Sequence, residues 1–305
     1  MIVRPQENWF RMLFVWNGSV LQSIIPQLTF VALVDVLAVM SDGSIFGEKV
    51  PLNTTPFTLV GVALTIFLAF RNNASYSRYW EARHIWGDVL IAGRALASQT
   101  LAYVPADNRF DRYDFVRKLI AFTYSLKHLL RGTDPFFDLT RYLPADRVAS
   151  LLHSHYRPIS LLTDLRHGLA ERHACGAISS QQLMMLDGQL DALAAAVGGC
   201  ERIASTPIPY PYGVLLHRTV YAYCLLLPFG LVDSIGLATP IIAVFVSYTL
   251  IALEAIASEV AEPFGLLPNS LALDALTRNV ERSLLELCGE TVPGELRAGS
   301  RYQLT

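Results

Sequence analysis

Residues 56–86 read PFTLVGVALTIFLAFRNNASYSRYWEARHIW, a helical stretch with no charged side chain through Phe70 and with Arg71, Arg78 and Arg83 after it. The uncharged run reaches back to Val50, and about 20 residues rising about 1.5 Å each cross a hydrocarbon core about 30 Å thick. Val62, Ile66 and Phe70 recur every fourth residue and share one stripe, which Leu59 and Ala63 broaden. A stripe of this kind serves ordinary helix packing, or it lines a narrow apolar pore when several copies of the helix surround an axis.

The whole chain repeats this division between two environments. Of its 305 residues 52% are hydrophobic and 16% charged, where an average soluble domain carries about a quarter charged residues. With a mean hydropathy of +0.37, the class indicated is a membrane protein with a substantial water-exposed part. A net charge of -2 without a basic cluster excludes nucleic acid as a partner. Cys175, Cys200, Cys224 and Cys288 are scattered, without a CxxC pair, which fits a reduced cytoplasmic setting. Near the N-terminus, Gln22, Pro26 and Gln27 interrupt the apolar region and no cleavage site follows, so it reads as retained structure.

Four membrane helices are expected, over about 24–41, 54–71, 212–231 and 234–254. The loop near Asp42, Gly43, Glu48 and Lys49 is short and slightly acidic, whereas Arg11, Arg71, Arg78, Arg83, Arg202 and Arg218 crowd the opposite ends of the spans. The positive-inside rule then puts both termini in the cytoplasm and the 41–55 loop and the 233–236 turn outside. A multi-pass membrane protein is therefore expected.

Charges recur too often in residues 72–209 and 255–305 for a membrane location, and their pattern is helical. Helices are expected over 114–130, 144–155, 159–173 and 270–287. Another begins at the N-cap candidate Ser179 and is stopped by Gly198 and Gly199. Strand signals are nearly absent. The fold class is therefore all-α, with membrane helices continuing into a cytosolic helical bundle as one intertwined unit over 1–305.

Few residues point to chemistry. His153 and His155 fall on different faces of a helix, with no third ligand at metal spacing. No Gly-rich phosphate loop, GxSxG or HExxH is present, so no cofactor and no enzyme activity is indicated. Cys200 beside Glu201 and Arg202 reads more readily as a buried cysteine than as an activated thiol. Asp35 lies inside a span, where a carboxylate needs a partner or water. It either pairs near the outer interface or joins Asp42, Glu48 and Asp233 in an acidic outer vestibule that concentrates cations. In CERIASTPIPYPY, residues 200–212, Pro207, Pro209 and Pro211 favour an extended path and a rigid linker into the third span.

FRNNASYSRYWEARHIWG after an apolar helix, CERIASTPIPYPY with LLHRT, and SEVAEPFG followed by LALDAL resemble, in order and spacing, the bestrophin family, in particular its bacterial branch. The likeness runs from about Trp9 to Leu287. It implies a homopentameric ring around one axial pore, four membrane helices per subunit, and a narrow neck of three apolar rings on the second helix, here Val62, Ile66 and Phe70. It also implies a second constriction at the cytosolic end of the pore, matched to Ile178. Animal members carry an acidic calcium clasp after Pro-Phe-Gly; here Leu266, Leu267, Pro268 and Asn269 follow, so no calcium activation of that kind is expected. The bacterial branch passes monovalent cations such as sodium, and animal members pass anions such as chloride. The acidic outer residues favour cations. A membrane-anchored scaffold recruiting partners through residues 110–200 is the reading from another class; it leaves unexplained why an apolar stripe runs straight into an Arg-rich helix.

Overall fold

The computed structural model describes residues 1–5, 8–45, 48–49, 54–107, 110–299 and 301–305, with the side chains of 45, 48, 49 and 54 aside. The protein is almost wholly helical. It divides into two compact units, each built from segments distant in sequence: Arg4–Tyr79 with Pro207–Glu262, and Met1–Val3 with Trp80–Thr206 and Pro263–Thr305.

The first unit holds α1 (Trp9–Met12), α2 (Leu21–Met40), the leading part of α3 (Thr54–Tyr103), α9 (Tyr210–Ile235) and α10 (Thr239–Val260). A two-residue antiparallel ladder, Ser44–Ile45 against Glu48–Lys49, follows α2. Leu21–Met40, Thr55–Tyr103 and Tyr210–Val260 are each long and apolar enough to cross a membrane. The last is two helices, because Gly236 adopts a positive φ of 52° that ends α9, and Pro240 suits the first turn of α10. The expected spans at 24–41, 54–71, 212–231 and 234–254 overlie α2, α3, α9 and α10. Ile24, Val31, Leu64, Leu68, Val220, Leu250 and Ile251 form the core between these helices. Leu33, Leu37, Met40, Ile241 and Phe245 are exposed. Helices with this much outward apolar surface suit a hydrocarbon solvent.

The second unit packs around α4 (Arg112–Arg131), with α5 (Phe136–Leu139), α6 (Ala145–Leu152), α7 (Arg157–Ala174), α8 (Ser180–Ser205), α11 (Leu273–Leu287) and the trailing part of α3. Asp111 caps α4 by accepting from the Tyr113 amide at 2.8 Å, and Gly132 closes it at φ 62°. Ser179 opens α8 with the expected cap, and Gln182 reciprocates by accepting from the Ser179 amide at 2.8 Å. Gly198 and Gly199 do not stop α8, which continues to Ser205. A Cβ on Gly199 would lie 2.9 Å from Ile85 Cδ1, so that glycine answers a close helix approach rather than a cap. The segment 200–205, expected to be extended, is consequently helical, and only 206–209 separates α8 from α9.

Polar groups tie α4 and α11 together. The fully buried Glu281 carboxylate accepts from Tyr124 Oη at 2.6 Å, from Tyr142 Oη and Arg141, and pairs with Arg278 at 3.1 Å. Nearby, Lys127 bridges Asp138 at 2.8 Å and Asp274 at 3.0 Å, His128 Nε2 lies 2.9 Å from Asp138, and Arg131 holds Asp274 at 2.6 Å. Burial pushes the Asp138 carboxyl up, but the hydrogen bonds from His128 and Lys127 outweigh it and hold it at about 2, below its ordinary 3.8. The unfolded chain therefore binds this proton more readily. The stabilisation is present above 3.8 and is lost as pH falls through about 2. Thermal unfolding of the full chain in detergent is expected to show a steeper decline from about pH 4 to about pH 2 than that of Asp138→Asn. Equal slopes in the two proteins would remove Asp138 as a source of acid sensitivity.

Candidate functional site

Leu64, Leu68 and Ser75 are buried on one side of α3. At 100° per residue Val62, Ile66 and Phe70 fall on the other side, where they are 56%, 50% and 68% exposed. The Thr65 hydroxyl donates to the Gly61 carbonyl at 2.8 Å, which satisfies this donor within the helix. The exposed face is thus apolar over two turns. It can narrow and dry an aqueous path, and it offers no charge to a passing ion.

Two devices fix which side of α3 is free. The first is polar and sits at the sequence switch. Arg71 Nη1 pairs with Glu254 of α10 at 3.0 Å, both side chains being largely buried, and its Nη2 donates to Ser258 at 2.8 Å. Asn72 Nδ2 donates to the Leu253 carbonyl at 3.3 Å, and Arg78 Nε to the Ala261 carbonyl at 3.1 Å. A cation at Ala261 also complements the negative end of α10. The second device is steric. A Cβ on Gly61 would lie 2.8 Å from Tyr223 Oη, and one on Gly230 would lie 2.8 Å from the Phe57 ring. Glycine at these positions lets α3 and α9 approach across the Phe57–Tyr223 ring pair, whose centroids are 6.0 Å apart. Neither glycine was singled out from the sequence, where an isolated glycine in an apolar helix carries no mark of its neighbour.

The acidic residues expected at the outer end are not equivalent. Asp35 is fully buried in α2, and neither carboxylate oxygen has a hydrogen-bond partner among the described residues. Among the described residues no counter-ion reaches it. Asp42, at φ 53° in the turn after α2, is exposed, as is Asp233 near the end of α9. Their neighbours meet, since a Cβ on Gly43 would lie 2.9 Å from Val232, so this pair shares one end of the unit. The Glu48 side chain lies outside the described residues.

Ile178 is 3% exposed and packs in the core before α8, where its carbonyl faces His173 Nδ1 at 3.2 Å. The Cys200 thiol is buried and pushed up to about 12, by burial first and then by Glu201, which opposes the reactive thiolate. His153 and His155 are exposed, and no three His, Cys, Asp or Glu side chains converge among the described residues.

With this geometry, comparison with known proteins is informative. A family profile described as Bacterial/Fungal Bestrophin protein matches residues 1–286. The chain belongs to the bacterial and fungal bestrophin family. Among its bestrophin relatives, a voltage-dependent anion channel-forming protein of Ralstonia nicotianae is 42% identical over the full length of both chains. The voltage-dependent anion channel-forming protein YneE of Escherichia coli K12 is 40% identical, also over both full lengths. The crystal structure of a bacterial bestrophin homologue from Klebsiella pneumoniae superposes with a TM-score of 0.84 at 41% identity, covering 88% of this chain and 99% of that one. This is accordingly a helical, membrane-type bestrophin.

In this bestrophin the Gly230–Phe57 approach leaves no room for a branched side chain. Gly230→Val is expected to destabilise the purified protein by about 1–3 kcal/mol, read as a lower unfolding temperature. An unchanged transition would show that the Phe57 ring yields freely and does not fix α3.

Proposed function

We propose that the chain is one subunit of a homopentameric ion channel in the cell inner membrane. Each subunit contributes four membrane helices, α2, α3, α9 and α10, with both termini in the cytoplasm. In this reading α3 surrounds the axis, and Val62, Ile66 and Phe70 form three apolar rings of a neck. The observation that carries it is the free stripe itself: three large apolar side chains exposed on one face of a helix whose opposite face is buried. An ion crossing such a neck must shed part of its water, so the barrier depends on bore and apolar lining.

The permeant species is proposed to be a monovalent ion, with cations such as sodium favoured. Asp42 and Asp233, exposed at one end of the membrane-type unit, support a cation-attracting entrance. An anion path is the second reading, favoured by relatives that are themselves named anion channel-forming proteins. Leu266 and Leu267 after the Pro-Phe-Gly motif are exposed and offer no calcium ligand, in keeping with gating independent of an animal-type clasp.

Purified protein in planar bilayers is expected to conduct. Ile66→Ala and Phe70→Ala should each raise the conductance about two- to tenfold, corresponding to roughly 0.4–1.4 kcal/mol less barrier. Unchanged conductance in both variants would remove the neck assignment. Under asymmetric NaCl the reversal potential is expected at the sodium side of zero; displacement toward chloride would replace the cation reading with the anion one.

A further inference from the structure

At the end of the membrane-type unit where α3 turns polar, two cavities adjoin. One, about 650 Å³, is lined by Arg71, His217, Arg218, Glu254 and Glu262. The other, about 570 Å³, is lined by Phe67, Phe70, Tyr212, Leu215, Leu216 and Thr219 among others. Arg71, Ile208 and Pro209 line both, so a charged chamber opens beside an apolar groove. Each volume falls in the range of about 300–1,000 Å³ usual for small-molecule sites.

The charges in the chamber balance, two guanidiniums against two carboxylates. Arg71 is engaged by Glu254 and Ser258. Arg218 is exposed and has no hydrogen-bond or ion-pair partner among the described residues. Glu254 Oε2 has only the His217 ring as a neighbour, at 3.7 Å, longer than a hydrogen bond. The chamber therefore presents one free cation and one underused carboxylate oxygen. Its height matches the boundary between hydrocarbon and water, since α3 changes from apolar to charged at Arg71 and Tyr212 lies in the groove.

We propose that the two cavities form one binding site for a zwitterionic phospholipid with a primary ammonium. The acyl chain occupies the groove along Phe67, Leu215 and Leu216. The phosphate accepts from Arg218, and the ammonium donates to Glu254. A choline headgroup has no N–H to donate. A glycerol headgroup leaves the phosphate charge uncompensated in a chamber already neutral. An apolar helix face from a second copy of the chain would fill the groove but leave Arg218 without a counterpart. The proposal rests on the membrane location of this unit, and the groove shares Phe70 with the proposed neck.

Full-length protein reconstituted in equal amounts of phosphatidylethanolamine, phosphatidylcholine and phosphatidylglycerol with identical acyl chains, then extracted in mild detergent, is read by native mass spectrometry. Phosphatidylethanolamine should be retained about tenfold over the other two, the discrimination one charge-assisted hydrogen bond supplies. Arg218→Gln should lower its retention by about tenfold. Thr219→Trp, which fills the groove, should abolish retention of all three. Equal retention of the three lipids, preference for phosphatidylglycerol, or retention unaltered in both variants would each overturn the site. Absence of any retained lipid would overturn it too and assign the groove to a second copy. A protein that conducts but retains no lipid keeps the channel reading and loses this one; a protein that retains lipid but does not conduct does the reverse.

Discussion

The Arg71–Glu254 ion pair is the interaction on which the membrane-type unit depends. Both partners are largely buried, and removing one partner of a buried pair leaves the other charged and uncompensated, a loss of about 3–5 kcal/mol. The pair joins α3 to α10 at the one residue where α3 ceases to be apolar. Together with the Asn72 and Arg78 bonds to backbone carbonyls of the same partner segment, it fixes the rotation of α3 about its own axis. Contacts with lipid tails and with neighbouring helices are nearly equivalent for an apolar helix, so beside these polar bonds it is the close Gly61–Tyr223 and Gly230–Phe57 approaches that set the rotation. The free face carrying Val62, Ile66 and Phe70 is thus a consequence of the polar bonds and of these glycine contacts together.

The second unit uses buried charge differently. Glu281 has no exposure and accepts from two phenols while two guanidiniums neutralise it. Such a group contributes little net stability over a well-packed apolar core, because desolvation offsets most of the attraction. What it adds is a single register for α11 against α4: sliding either helix by a residue would strand the buried Glu281 carboxylate without its partners. Lys127, sharing its ammonium between Asp138 and Asp274, does the same for α5 and α11.

Much of this was legible in the sequence, for physical reasons that also explain what was not. Uncharged runs reveal membrane helices because each charge in hydrocarbon is expensive. The four-residue spacing revealed the stripe on α3, and Ser179 with Gln182 revealed a helix start because the capping box is local. Tertiary contacts left no such local sign. Gly198 and Gly199 look like a stop signal, yet Gly199 meets Ile85 from a distant segment. The burial of Asp35 within the subunit likewise left no local sign in the sequence. The helix from Thr54 to Tyr103 extends well past Trp86 because nothing between them breaks the backbone ladder, and the polar composition there changes only which solvent it meets.

In the proposed neck, charge discrimination cannot come from apolar rings, which raise the barrier for either sign. It must come from charges at the ends of the neck, and there compensation decides. Arg71, where α3 turns polar, is bound to Glu254. This arginine, which alone would favour anions, therefore presents a close dipole whose field falls off faster than that of a free charge and is further screened within about 8 Å at physiological salt. Asp42 and Asp233 are exposed at the opposite end of the membrane-type unit from Arg71. Repetition around a ring would multiply the remaining charge at each mouth, so a small imbalance per subunit suffices to set the sign. The proposed cation preference thus requires the carboxylates at one mouth to outweigh Arg218 at the other, Arg71 being already compensated by Glu254.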